Sequence, residues 1–213
     1  KNIRQDFYWN RNRSTLSIRL RYNKKTNLNN QYLEGGQRFD YTENSVRIKG
    51  KLLKKMSAQL DAMRKLEIKK YQIAGRSDKD ILTREIAVDL SYRPQQRIEI
   101  AARTKWLNSE NRASYPIKVD LFSVSPRINY SFRRKGKLRA EVEFNHVKVV
   151  PENAILPYEM ASGYHGGTNV RWLASFDYNV SRYIRASVSW NGRYEAYLKK
   201  PIYTLRAEMR AYF

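Results

Sequence analysis

Apolar and polar residues alternate along almost the whole chain. A period of two admits one backbone, the extended strand, whose side chains point to opposite faces in turn. In the last segment Tyr203, Leu205, Ala207, Met209, Ala211 and Phe213 share one face, and Thr204, Arg206, Glu208, Arg210 and Tyr212 the other. Upstream, Ile184–Trp190, Val170–Val180, Leu138–Phe144, Ile98–Trp106, Ile86–Tyr92, Val46–Leu52 and Leu16–Tyr22 repeat the pattern, each with an apolar set opposed by a charged or hydroxylated set. The predicted class is therefore all-β and antiparallel, with about ten or eleven strands, Ile3–Trp9 being the strand in question.

A soluble sandwich alternates too, with its apolar faces packed inward. Three features favour a membrane-spanning up-and-down barrel. The strands run to roughly nine to twelve residues, enough to cross a bilayer at a tilt, against about five or six in soluble sheets. Short and long connections take turns. The short ones lie near Lys54–Met56, Arg93–Gln96, Arg133–Lys137 and Ser181–Arg182; the long ones near Asn23–Glu43, Lys69–Ile81, Leu107–Pro116, Lys148–Gly167 and Glu195–Pro201. Periplasmic turns are short and outer loops long in such barrels. Aromatics also fall at two heights: with short turns periplasmic, Trp106, Trp172 and Trp190 stand toward the outer strand ends, and Tyr92, Tyr130, Phe132, Tyr178 and Phe213 toward the inner ends. Rings at both interfaces form girdles.

No apolar run reaches the ~20 residues of a membrane helix, which excludes a helical spanning protein. The chain has no cysteine, so disulfide frameworks and thiolate metal sites are excluded. There is no secretory signal at Lys1, so the expectation is a processed mature form or the C-terminal part of a longer barrel.

Two places depart from simple alternation. In Ile117–Phe132 the apolar residues change phase, Val119 and Leu121 in one register and Ile128, Tyr130 and Phe132 in the other, which predicts a bulge at Pro126. In Leu52–Leu66 the residues Leu52, Met56, Leu60, Met63 and Leu66 recur at helical spacing; the neighbouring strands favour a hairpin turning near Lys54–Met56 instead.

The ending from Tyr203 through Leu205, Ala207, Met209 and Ala211 to Phe213 resembles the final strand of bacterial outer-membrane β-barrel proteins, where alternating apolar residues lead to a terminal aromatic. The resemblance implies localisation in the bacterial outer membrane and recognition by the barrel-assembly machinery. The stretch Ile155–Glu159 through Gly163 to Trp172 resembles the closing region of large surface barrels of the gliding and type 9 secretion kind.

The formal charge of +22 admits nucleic acid, an anionic surface or a charged lumen as its counterpart. Tyr and Arg are distributed through the strands and over both faces rather than gathered on one stripe, which argues against a soluble basic domain binding nucleic acid, the reading kept as an alternative. Arginine at mid-membrane costs about 2–4 kcal/mol, so the polar face belongs to the lumen. The expected charge ladder is Glu85, Asp89, Arg97, Glu99, Arg103, Arg139, Glu141, Glu143, Arg171, Asp177, Arg185, Arg193, Arg206, Glu208 and Arg210. It suits a basic lumen that draws in anions or a charge-paired filling of a narrow barrel. Lys54, Lys55, Arg133, Arg134, Lys135 and Lys137 mark the short turns, where solvation or a periplasmic protein partner accounts for them. Lys24, Lys25 and Arg38 are placed in an outer loop, facing anionic lipid such as lipopolysaccharide.

His146 and His165 show no metal-ligand spacing, and no cofactor motif is present. A lipid-modifying enzyme carried on the barrel would need Ser162 or Ser187 brought to His146. The favoured role is non-enzymatic: a pore, a transport or secretion-associated channel wall, or an anchor displaying outer loops. Lipids and periplasmic or surface proteins are its expected partners, the latter meeting Asn23–Glu43 and Lys148–Gly167.

Overall fold

A computed structural model describes residues 1–10, 16–29, 36–71, 77–113, 116–132, 135–152, 154 and 156–212. They form one antiparallel sheet of eleven strands in sequence order: β1 (Asn2–Trp9), β2 (Leu16–Asn29), β3 (Gln37–Leu53), β4 (Met56–Tyr71), β5 (Lys79–Gln95), β6 (Ile98–Asn111), β7 (Ile117–Phe132), β8 (Gly136–Val150), β9 (Gly167–Asn179), β10 (Ile184–Tyr194) and β11 (Ile202–Ala211). Every strand pairs with its sequence neighbours, the connectivity of an up-and-down barrel wall. Among the described residues β1 and β11 are the two edges, and the sheet is not closed. Ile3–Trp9 is a strand, paired from Asn2↔Lys25 to Trp9↔Ile18.

The register puts the two residue sets on two faces throughout. One continuous outer-face row runs Val46↔Ala62, Ala62↔Ile86, Ile86↔Trp106, Trp106↔Phe122 and Phe122↔His146. This face is exposed despite being apolar: Leu205 is 68% accessible, Trp106 60%, Ile86 50% and Val188 42%. Such a surface is stable against hydrocarbon and not against water. The opposite face carries most of the ion pairs and the small buried core.

The hairpin at Lys54–Lys55 is formed, with Leu53↔Met56 closing it and a register shift between Lys51 and Leu53. Helical spacing in Leu52–Leu66 is overridden because Met56–Leu66 is registered with β3 on one side and β5 on the other. The bulge expected at Pro126 is absent. The β6–β7 register runs without a shift from Ile98↔Tyr130 to Asn111↔Ile117, and Val124↔Phe144 and Arg127↔Glu141 lie in one register with β8. What changes is the environment: Val119 and Leu121 point inward into a dry core, whereas Ile128, Tyr130 and Phe132 point outward. The irregularity in this region falls instead between Tyr92 and Gln95.

The long connection expected over Asn23–Glu43 is mostly strand. β2 reaches Asn29 and β3 starts at Gln37, so Lys24, Lys25 and Arg38 are strand residues. The ladder outlives the apolar alternation because hydrogen bonding between backbones does not depend on which side chains they carry. Lys148–Gly167 is partly exposed, as at Tyr158, and partly turned inward. Its short helix α1 (Tyr158–Ala161) turns onto the inner face, where Met160 and Ala161 are buried with Ile81, Leu107, Val119, Leu121, Val147, Val149 and Tyr164.

Candidate functional site

The inner face is built from side chains that each strand contributes at every second position. The whole expected ladder lies on it by register, except Arg97, which stands in the turn before β6. Its ion pairs run partly between strands and partly along one strand. Asp89 is held by Arg127 of β7, with Nη2 at 3.0 Å from both carboxylate oxygens. Arg103 approaches Glu85 at 4.0 Å, and Glu99 pairs with Arg93 at 2.9 Å. Arg185 reaches Asp177 at 3.1 Å across β9 and β10. Arg139 binds Glu141 on its own strand at 2.7 Å, and Arg206 and Arg210 both turn to Glu208, so neither meets β10. Arg193 pairs with Glu195 at 3.5 Å.

The ladder extends beyond the expected residues. Asp6 gathers Arg4, Arg19 and Arg21, and Arg47 pairs with Asp61 at 2.6 Å. Arg19, Arg21, Glu43, Arg47, Asp61, Glu85 and Arg103 contribute to the lining of a cavity of about 140 Å³, with Met63 among its apolar members. Strand alternation was the available signal for Arg127, Arg47 and Asp61: Arg127 lies opposite Glu141, and Arg47 lies opposite Asp61, which is in phase with Glu85 and Asp89.

Above the ladder lies a band of small polar residues, Thr83, Ser109, Ser123, Asn145 and Asn169, all buried. Thr83 and Ser109 hydroxyls hydrogen-bond at 3.1 Å. Above that, the connection from β8 to β9 is tied to the wall at three points. Glu159 of α1 accepts hydrogen bonds from Lys69 Nζ at 2.6 Å and Lys79 Nζ at 3.5 Å. Burial pushes the Glu159 carboxyl up, but the Lys69 bond, its own backbone N–H and the charges of Lys69 and Lys79 outweigh it, holding it at about 2. Tyr164 donates to Glu143 Oε2 at 2.7 Å and lies under the Arg171 guanidinium, 4.2 Å from its ring centre. Burial, and then the bond to Glu143, push the Tyr164 hydroxyl up to about 12. Glu143 and Arg171, opposite in register, thus meet through Tyr164. His165 Nδ1 is 3.1 Å from the buried Glu195, which follows β10, and its ring lies against Tyr197. The Tyr197 hydroxyl is raised by its bond to Glu195, with burial adding to it. Nothing in the alternation marked Glu195, which lies outside the strands.

On the outer face, Trp106, Trp172 and Trp190 stand in the halves of their strands away from the short turns, and Trp172 and Trp190 are 5.7 Å apart. Toward the short turns Tyr130, Phe132, Phe176 and Tyr178 form a chain of ring contacts, and Tyr92 stands opposite Met56 and Ile100. Tyr203, Leu205, Ala207 and Met209 face outward on β11, and Ala211 stands opposite Ile184. Phe213 lies outside the described residues, as do Arg133 and Arg134. His146 is on the outer face with its Nδ1 at 3.3 Å from Thr168, while Ser187 points inward opposite Glu208, so those two are not brought together. Among the described residues no group of three His, Asp or Glu is placed to hold a metal.

No protein-family model matches the sequence, and no curated protein matches it. Solved structures do resemble the fold. The copper transporter OprC is similar at a TM-score of 0.62 and 12% identity, over 98% of this chain and 39% of its own. OmpT of Vibrio cholerae, expressed in the outer membrane, is similar at a TM-score of 0.51 and 7% identity, over 88% of this chain and 77% of its own. Its variant lacking loop L8 gives a TM-score of 0.51 at 10% identity over 99% and 90%. The names of these structures say nothing of gliding or type 9 secretion. The apolar exposed face, the charged inner face and these likenesses agree: the chain has the fold of bacterial outer-membrane β-barrel proteins.

Proposed function

We propose that the chain forms the wall of a water-filled channel in the bacterial outer membrane, with a basic lumen that favours anionic solutes, and that its role is passage rather than catalysis. The observation that carries this reading is the contrast between faces: an inner wall of ionised side chains beneath an inward-folded connection, and an outer wall of exposed aliphatic and aromatic residues. Ionised residues facing each other across a wall need water or counter-charge. Basic residues outnumber acidic ones along the inner face, with Lys49, Lys51, Lys105 and Arg171 adding to the paired arginines. Asn169 and Arg171 also carry buried polar atoms without a hydrogen-bond partner among the described residues, a deficit that lumenal water relieves. The inserted segment around α1 narrows the passage from the side opposite the short turns.

In this reading the last strand is what the barrel-assembly machinery recognises, outer-leaflet lipids including lipopolysaccharide contact the outer face, and periplasmic or surface proteins meet the turns and loops. The copper transporter among the similar structures favours transport over an anchoring role. The test is single-channel conductance of the reconstituted chain under a salt gradient. Discrete openings with a reversal potential favouring the anion are expected, and Arg47→Gln with Arg103→Gln should shift that potential toward zero. A folded, inserted protein that conducts nothing would overturn the channel and leave the anchor.

A further inference from the structure

On the outer face of β4, the positions from Ala58 through Leu60, Ala62, Leu66 and Ile68 are apolar except for Arg64. On the outer face of β5, the positions from Leu82 through Ile86, Val88, Leu90 and Tyr92 are apolar except for Arg84. The two arginines are direct cross-strand partners, both exposed. Like charges directly opposite each other destabilise a sheet, and a lipid-facing arginine adds a cost of its own near mid-membrane. Neither has an ion pair among the described residues; their lateral neighbours are Asn44 and Asn108, and the nearest acid along the row, Asp120, accepts a hydrogen bond from Asn108 at 2.7 Å. Eight residues separate Arg64 from Met56 at the short turn, roughly 20 Å along the membrane normal for a strand tilted as barrel strands are, close to the border of an apolar band about 25 Å tall.

From this juxtaposition we infer that Arg64 and Arg84 clamp a phosphate of an outer-leaflet lipid headgroup. Two guanidinium forks side by side match the oxygens of one phosphate, and the anion removes the repulsion that leaves the pair unstable alone. Ala62 and Ile86 below, with Val88 and Leu90, offer the surface on which that lipid's acyl chains lie. The row continues to Asp120 and Lys148, and Lys118, 3.8 Å from Glu110, stands one step further out, so the polar border runs along the same line. The inference rests on the membrane-facing part of the proposed function and adds to it a lipid of stated chemistry.

The test uses the full chain folded in detergent, native mass spectrometry to count bound lipid, and three probes: bisphosphorylated lipid A, its dephosphorylated form and inorganic phosphate. Wild-type protein is expected to retain bisphosphorylated lipid A about tenfold better than the R64Q/R84Q double variant. The R64K/R84K variant should retain an intermediate amount, and inorganic phosphate should fail to displace the lipid. Equal retention by wild type and R64Q/R84Q, equal retention of dephosphorylated lipid A, or full displacement by inorganic phosphate would each overturn the clamp. Heat-modifiable migration and recovery with the membrane fraction, measured on the same samples, report the membrane reading separately. Intact insertion with unchanged lipid retention sinks the clamp alone, and loss of insertion in wild type sinks both.

Discussion

Arg127 reaches past the whole of strand β6 to place one guanidinium nitrogen 3.0 Å from each oxygen of Asp89 on β5. The pair joins next-nearest strands, so it locks curvature rather than register, and both side chains are largely shielded. Arg127→Gln leaves the Asp89 carboxylate without that partner on a half-buried wall, and the expected loss is about 1–3 kcal/mol. Asp89→Asn should cost a similar amount, and the double variant little more than either single one. Urea unfolding midpoints in detergent or lipid check this, and additive losses would mean that the two residues act independently.

The direction of the faces is tested by two adjacent residues. Ser187 points inward between Asp177 and Glu208, its cross-strand partners, whereas Val188 points outward between Phe176 and Ala207. Ser187→Arg adds a cation beside two carboxylates and is expected to fold within about 0.5 kcal/mol of wild type. Val188→Arg puts the same side chain against hydrocarbon and should cost about 2–4 kcal/mol. Folding equilibria into lipid vesicles measure both, and reversed costs would mean that the sheet presents the opposite face to the membrane.

Trp172 packs against the flat back of Gly192, its cross-strand partner. A β-carbon at residue 192 would overlap the indole, lying 2.6 Å from Cε2 and 2.8 Å from the Ile202 carbonyl oxygen. Gly192→Ala therefore has to displace the ring, at about 1–3 kcal/mol. Tryptophan emission should change together with thermal stability, and Trp172→Leu in the Gly192→Ala background should recover part of the loss. Full stability with an unchanged spectrum would show that the ring does not rest there.

Much of this was legible in the alternation. Because cross-strand partners share a face, a correct phase on one strand fixes its neighbours. Glu141, Asp177, Arg185 and Glu208 therefore share one face of the sheet by register. Their individual partners were less legible: alternation places a residue on a face, not opposite a particular charge, and Arg139, Arg206 and Arg210 bind carboxylates two residues along their own strands. The phase change in β7 marks a change of environment and not a bulge, since Val119 and Leu121 are apolar for a dry core inside and Ile128 for lipid outside, with no shift of register. The inward turn of Lys148–Gly167 had no periodic signal at all. Its burial depends on Met160 and Ala161 finding Ile81, Leu107 and Val149, contacts that only the three-dimensional arrangement supplies.

That inward turn is held by charges, which makes it sensitive to acid. The Glu159 carboxyl sits at about 2, below the ordinary carboxylate range, because the ion pairs with Lys69 and Lys79 outweigh its burial. A depressed carboxylate adds stability that is fully present above its free value near 4.5 and is lost as the pH falls through about 2. The connection is therefore expected to stay seated from neutral pH down to about 4.5 and to loosen progressively from there toward 2. Glu159→Gln removes the charge at every pH, leaves Lys69 and Lys79 facing each other, and should produce the loosened form at neutral pH, with a cost of about 1 kcal/mol for a pair this accessible. Protease cleavage within residues 151–157, or a larger and noisier single-channel conductance, would report release. Cleavage equally slow in wild type and Glu159→Gln at pH 7 would show that the apolar contacts of Met160 hold the segment without help from its salt bridges.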